Sequence, residues 1–339
     1  MLIALIGPPG AGKDSVAAFL EREHGFLRTG YGPGAEFASP ADVLQHVTAH
    51  WRTHFVTLDL RTIDEIAPFE KRPFFLLVGV EGPALLRWRR HAHKTRTHPS
   101  LEEFMAGDDA ALFGTSDADA DPDTSVAAGV SALAVRGRSG GVYSAEQVPP
   151  VLSLAALLAR CQLRIENSFC DLAELHAHLR SLDLTSAHRL RPSWDTYFVS
   201  LCTLASMRSN CMKRRVGAVI VRDNRVLSTG YNGTPRGLTN CSDGGCPRCN
   251  ESAPCGSSLD ECLCLHAEEN ALLELGRDRG GAQGTTLYCN TCPCLRCAVK
   301  IAQTGVHQVV YQLGYSMDDR STQILTAAGV SIRRYFPPV

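Results

Sequence analysis

Leu265-His-Ala-Glu-Glu-Asn-Ala-Leu-Leu-Glu-Leu275 has apolar residues at helical spacing, and Thr285-Thr-Leu-Tyr-Cys289 reads as a strand leading into Pro293-Cys294-Leu-Arg-Cys297 and a second helix over 298–303. The same alternation extends outward. Upstream, the spacing predicts a helix over 197–205 and a hairpin of strands 216–221 and 225–229 around Asp223-Asn224. Downstream it predicts a strand over 309–311, a helix over 322–328 and a last strand over 330–333. Strands alternating with helices predict a three-layer α/β/α domain over residues 191–339.

Within that frame His266, Cys294 and Cys297 stand at two helix starts that would aim ligands at one point. One neutral imidazole and two thiolates make a three-ligand zinc site whose fourth place is left to water, as catalytic zinc requires. The helix dipoles favour the thiolate forms of Cys294 and Cys297. Glu268, two residues beyond His266, is placed as a proton shuttle rather than a ligand. The alternative is a closed site of His and three Cys, which explains neither Glu268 nor the spacing.

Cysteine placement supports metal chemistry. None of the 14 cysteines precedes Cys161, and ten fall between Cys241 and Cys297. In a reducing compartment such density with paired spacings argues for ligation rather than disulfides, while Cys161, Cys170, Cys202 and Cys289 suit buried thiols. The chain has 339 residues, 34 Lys+Arg against 35 Asp+Glu, and 44% hydrophobic residues, a balance that predicts about two domains. A net charge of -1 offers no global attraction to nucleic acid or anionic membranes, so neither is an expected partner. No apolar run approaches the roughly 18 residues of a spanning helix, and residues 1–6 meet Gly7-Pro-Pro-Gly10 too soon for a signal-peptide core. An intracellular, cytoplasmic protein is expected, with a nuclear location left open.

In the first half, the apolar run Leu2-Ile-Ala-Leu-Ile6 ends at Gly7-Pro-Pro-Gly10-Ala-Gly12-Lys13-Asp14-Ser15 and passes into a helical pattern. Strand, glycine loop and helix together form the context of a phosphate-binding P-loop, with Lys13 as a mobile positive charge. The motif expects Ser or Thr directly after Gly-Lys; here Asp14 stands first and Ser15 behind it, which weakens the case for phosphoryl transfer. The segment resembles the Gly-Lys-Asp-Ser/Thr loop of nucleoside-monophosphate-kinase-like proteins. Further strands are expected over 55–59 and 74–78, with Asp59 open as a strand end or a magnesium ligand. The arginines of 86–90 are open as a solvated face or a lid segment. Ser100 with Glu103 reads as a capping box. Residues 107–150, rich in Asp, Ala, Gly and Ser, read as a flexible insertion. A helix is expected over 151–158, a last strand over 161–167 and a helix capped by Asp171, so that a parallel α/β domain closes near residue 186.

The second half resembles the deoxycytidylate (dCMP) deaminases, and the two-part layout resembles the fungal type. The motifs that carry this are Arg208-Ser-Asn-Cys211, Gly230-Tyr-Asn-Gly-Thr-Pro-Arg236, Gly245-Cys-Pro-Arg-Cys-Asn250, Cys262-Leu-Cys-Leu-His-Ala-Glu268 and Pro293-Cys-Leu-Arg-Cys297. His-x-Glu followed by Pro-Cys-x-x-Cys is also the general signature of zinc deaminases, in which activated water attacks C4 of cytosine. The resemblance implies hydrolysis of dCMP to dUMP and ammonia, supplying thymidylate synthesis. It further implies a hexamer, activation by dCTP and inhibition by dTTP with Mg2+. A second, structural zinc is implied at Cys211, Cys241 and Cys264, with Cys249 or alternatively Cys246 as fourth ligand; Cys255, Cys262 and Cys292 are left as plain thiols. Asn232 and Gly233 are implied as nucleotide contacts, Asn232 at the sugar. Other cytosine or adenine substrates, RNA included, and a bifunctional protein with a nucleotide-binding or kinase first domain are the alternatives.

Overall fold

Leu2 to Ile6 is apolar at every position because both faces of its strand are covered. In the computed structural model Ile3 and Leu5 pack with Val16, Phe19, Leu20 and Leu175 on one side, and Leu2, Ala4 and Ile6 with Val43, Ile66 and Phe69 on the other. The structure describes residues 1–95, 99–113, 153–251, 254, 257, 261–276, 280–314 and 318–337. They form two compact units, Met1–Arg191 and Pro192–Val339.

The first unit runs β1 (Leu2–Ile6), α1 (Lys13–His24), β2 (Leu27–Arg28), α2 (Pro40–Ala49), β3 (Phe55–Thr57), α3 (Ile63–Glu70), β4 (Phe75–Glu81), α4 (Ala84–Thr95), α5 (Leu101–Phe113), α6 (Leu154–Leu158), β5 (Leu163–Glu166), α7 (Leu172–Leu182) and α8 (Ala187–Leu190). Its five strands are all parallel, in the order β2-β3-β1-β4-β5. Ser100 and Glu103 exchange the reciprocal hydrogen bonds of a capping box at the start of α5. That helix continues to Phe113, so residues 107–113 are helical and not part of a solvated insertion. The remainder of the expected insertion, 114–150, lies outside the described residues. Four elements of this unit were not anticipated: β2, whose two residues are exposed, the short helix α8, and helices α2 and α3, each opened by a capping box, Ser39 with Asp42 and Thr62 with Glu65.

The second unit runs α9 (Trp194–Ser206), β6 (Gly217–Arg222), β7 (Arg225–Tyr231), α10 (Pro247–Asn250), α11 (Ala267–Leu275), β8 (Thr286–Thr291), α12 (Leu295–Gln303), β9 (Gln308–Leu313), α13 (Asp318–Ala327) and β10 (Ser331–Arg334). The sheet order is β10-β9-β8-β6-β7, antiparallel from β7 through β6 to β8 and parallel from β8 to β10. Asp223 and Asn224, at φ 50° and 59°, make the hairpin turn, whose hand matches the twist of β6 and β7. Alternation along β6 sorts its residues into two cores. Ala218 and Ile220 pack with Ala267, Ala271, Ala298 and Ile301, whereas Val219 and Val221 pack with Phe198, Cys202, Tyr288 and Val310. The sheet is thus covered on both faces. Helix α11 lies so close to β7 that a Cβ on Gly230 would stand 2.1 Å from the carbonyl oxygen of Ala267. The helix expected from Leu265 starts at Ala267; Leu265 instead pairs antiparallel with Gly233.

Candidate metal and active site

Two helix N-termini meet at the site. His266 occupies the N-cap of α11 and Cys294 the N-cap of α12, both with extended backbone, and neither side chain caps its own helix. The side chains face each other instead: His266 Nδ1 lies 3.3 Å from Cys294 Sγ and 3.4 Å from Cys297 Sγ. A tetrahedral zinc bound at ordinary Zn–S and Zn–N lengths sets N···S edges of about 3.5 Å, so this donor set fits the ion. Hydrogen bonding from Cys297, then contact with His266, holds the Cys294 thiol down at about 3, and the shared proton drives Cys297 upward. The same Cys294 sulfur raises His266. Glu268, in the first turn of α11, is 3% exposed, and burial pushes its carboxyl up to about 7.

The loop after β7 fixes where α11 begins. Gly233 N–H donates to Leu265 O at 3.2 Å and Leu265 N–H donates back to Gly233 O at 2.8 Å, one residue before His266. Asn232 is buried and its side chain is largely engaged. Its Oδ1 accepts from Ser209 Oγ at 2.7 Å and from Val216 N–H at 2.8 Å, while Nδ2 donates to Arg214 O at 2.8 Å. The expected sugar contact therefore finds a side chain that braces the segment 209–216, with one Nδ2 hydrogen left for a ligand. Asn210, which sequence reading passed over, accepts from Thr234 N–H at 3.2 Å and donates to Asn240 Oδ1 at 2.7 Å. Beside this network is an open cleft of about 410 Å3, lined by Arg208, Asn210, Arg215 and Tyr231 among others.

Sulfur gathers at a second place. Cys211, Cys241, Cys249 and Cys264 have their Sγ atoms within 4.8 Å of one another, and so do Cys246, Cys249, Cys262 and Cys264. Cys262, expected to be a plain thiol, is thus in sulfur company; Cys255 lies outside the described residues, and Cys292 is buried with its thiol directed at Pro293 O, 3.9 Å away. Cys246-x-x-Cys249 and Cys262-x-Cys264 were the spacings that could have revealed the larger group.

In the first unit Gly7, Gly10 and Gly12 have φ of 150°, 72° and 99°, and Lys13 and Asp14 open α1 with Ser15 behind them. Lys13 Nζ donates to Gly7 O at 2.5 Å and Pro8 O at 3.0 Å, and burial lowers its pKa. Asp14 pairs with Lys94 at 2.6 Å and Arg28 at 3.4 Å. Arg87 is neither solvated nor free: it is buried, donates to Pro9 O at 3.3 Å and holds both oxygens of Asp108 at 2.6 Å. Arg90 binds Asn167 and Phe169, and Asn167 in turn donates to Ala11 O at 2.8 Å. Asp59 O accepts from the Tyr31 hydroxyl at 2.9 Å. Among the described residues, no helix is long and apolar enough to cross a membrane.

Residues 192–313 match the family described as "Cytidine and deoxycytidylate deaminase zinc-binding region". The chain is 42% identical over 353 aligned positions to the deoxycytidylate deaminase of Schizosaccharomyces pombe, covering 99% of this chain and 98% of that one. It is 41% identical over 298 positions to the deoxycytidylate deaminase of Saccharomyces cerevisiae, covering 88% and 86% respectively. The crystal structure of the dCMP deaminase from cyanophage S-TIM5 in complex with dCMP and dUMP is 32% identical, with a TM-score of 0.36, over 43% of this chain and 98% of that one. The chain belongs to the deoxycytidylate deaminase family.

Proposed function

We propose that the protein hydrolyses dCMP to dUMP and ammonia at the site formed by His266, Glu268, Cys294 and Cys297. The observation that carries this is the convergence of one imidazole and two thiols at helix N-termini, with a buried carboxyl in the first turn of one of them. His266, Cys294 and Cys297 hold zinc, which when bound supplies a Lewis acid that acidifies water beside cytosine C4. Glu268 is the proton carrier. Its carboxylate takes one proton of the attacking water and delivers it to ring N3, then takes the second from the new C4 hydroxyl and gives it to the amine as the C4–N bond breaks and ammonia leaves. Enclosure by α11 and the sheet keeps that carboxyl from bulk water, so its proton exchanges with the reactants. Gly233 and the remaining Nδ2 hydrogen of Asn232 face the nucleotide, and the two arginines of the neighbouring cleft, Arg208 and Arg215, suit its monophosphate.

Chemistry beyond the active site belongs to the same proposal. A structural zinc sits at Cys211, Cys241, Cys249 and Cys264. The loop of Gly7, Gly10, Gly12, Lys13, Asp14 and Ser15 binds nucleotide phosphate, with Lys13 turning from the loop carbonyls to the ligand. Regulation by dCTP and by dTTP with Mg2+, and assembly as a hexamer, complete it.

Ammonia release from dCMP, CMP, cytidine and deoxycytidine, measured on protein of known zinc content with and without dCTP, tests the proposal. Preferential turnover of dCMP is expected; zinc-loaded protein inert toward dCMP would sink it. Glu268→Ala is expected to lose about 10³-fold or more in kcat while retaining zinc. Metal loss in that variant would make Glu268 a ligand instead.

A further inference from the structure

We propose that Cys211, Cys241, Cys246, Cys249, Cys262 and Cys264 hold two zinc ions in one binuclear thiolate cluster, with Cys249 and Cys264 bridging the metals. This extends the structural-zinc reading above and stands apart from the deamination chemistry. The two four-sulfur groups are each compact enough for one tetrahedral ion, whose S···S edges are about 3.8 Å, and they share Cys249 and Cys264 and no other residue. Each group also has two sulfurs of its own, Cys211 with Cys241 and Cys246 with Cys262.

A single four-coordinate zinc would leave two of the six sulfurs without a metal, one of them on Cys246, which is fully buried. Two tetrahedra sharing an edge use all six. The charge also works out: six thiolates around two divalent ions leave a net double negative charge, and the surroundings answer it. The buried guanidinium of Arg248 lies against the sulfurs of Cys249 and Cys262, and Met212 N–H donates to Cys241 Sγ at 3.5 Å. Among the described residues, no aliphatic side chain belongs to the buried cluster here: its members are Cys241, Cys246 and Cys249, with Cys211, Cys262 and Cys264 packed against them. Metal–sulfur bonds then take the place of a hydrophobic core in ordering this part of the chain.

Zinc per polypeptide, counted by elemental analysis on the full-length protein, tests the cluster. The unaltered chain should carry about three ions, one at the catalytic site and two here. His266→Ala strips the catalytic ion and should leave about two, which reads the cluster independently of whether the protein deaminates dCMP. Cys262→Ser in the same background should lower the count by one. Two ions in the unaltered chain with one in His266→Ala would overturn the proposal, as would an unchanged count on replacing Cys262. Should the Cys262 variant fail to fold, cadmium-113 exchange of the unaltered protein decides. Scalar coupling between two tetrathiolate cadmium signals is expected from bridging sulfur, and uncoupled signals would refute it.

Discussion

Asn232 shows how one residue can be read two ways from sequence. In a loop with glycines it reads as a ligand contact, yet three of its hydrogen bonds go to Ser209, Val216 and Arg214. Asn232→Ala leaves the half-buried Val216 N–H without its side-chain acceptor, at about 1–3 kcal/mol, while the Ser209 hydroxyl keeps the Asn232 carbonyl at 2.8 Å. Calorimetry should show a lower Tm, accompanied by a fall in kcat and unchanged zinc. A raised KM for dCMP with no change in Tm would instead make Asn232 a substrate contact and nothing more. The trio of His266, Cys294 and Cys297 was legible because its spacing is local to two helix starts. The membership of Cys246 and Cys262 in a sulfur cluster was less so, since it depends on how a turn-rich segment returns on itself.

At the scale of elements, the decisive contact is helix against strand. A methyl group on Gly230 would press on Ala267 O at 2.1 Å and Ala271 N at 2.4 Å, so α11 must shift on β7. Because that helix carries Glu268 and begins at His266, a displacement of about 1 Å should cost Gly230→Ala on the order of 10²-fold in kcat/KM. An active variant would show that the helix can slide without disturbing the site. In the first unit, Asp108→Ala strands the buried Arg87 guanidinium and should destabilise by about 3–5 kcal/mol in urea unfolding. Replacing both residues with apolar side chains should recover part of that loss, and no recovery would mean that Arg87 matters through Pro9 and the glycine loop instead. Long apolar or alternating segments such as β1 and the β6–β7 hairpin were readable from pattern. Strand β2, two exposed residues long, has no pattern to read, while α2 and α3 announced themselves only through their capping boxes.

For the molecule as a whole, the chemistry proposed above divides between the two units. The cysteine-rich half contains the clusters of candidate metal ligands found among the described residues, and the half without cysteines before Cys161 contains the glycine loop. Lys13→Ala should therefore weaken nucleotide binding at the first unit, read by calorimetric titration with dCTP and ATP, while leaving the zinc count and basal dCMP turnover unchanged. Unaltered binding would remove the loop as a phosphate site. The α/β class of both halves was legible because strand and helix periods alternate so regularly. Residues 107–113 were misjudged because Gly, Asp and Ala suggest a loop until Phe104 and Asp108 are seen to be buried on one side of the helix.

The pairing of Gly233 with Leu265 has a further consequence. The residues on either side, Cys264 and His266, belong to different groups of candidate metal ligands, and the pairing holds both in register with the loop that follows β7. The side chain of Leu263, 45% exposed, has room to vary in size, but adding or deleting one residue here would move either the sulfur or the imidazole by a full step along the chain. This stretch acts as a ruler, and its length is under tighter constraint than its composition.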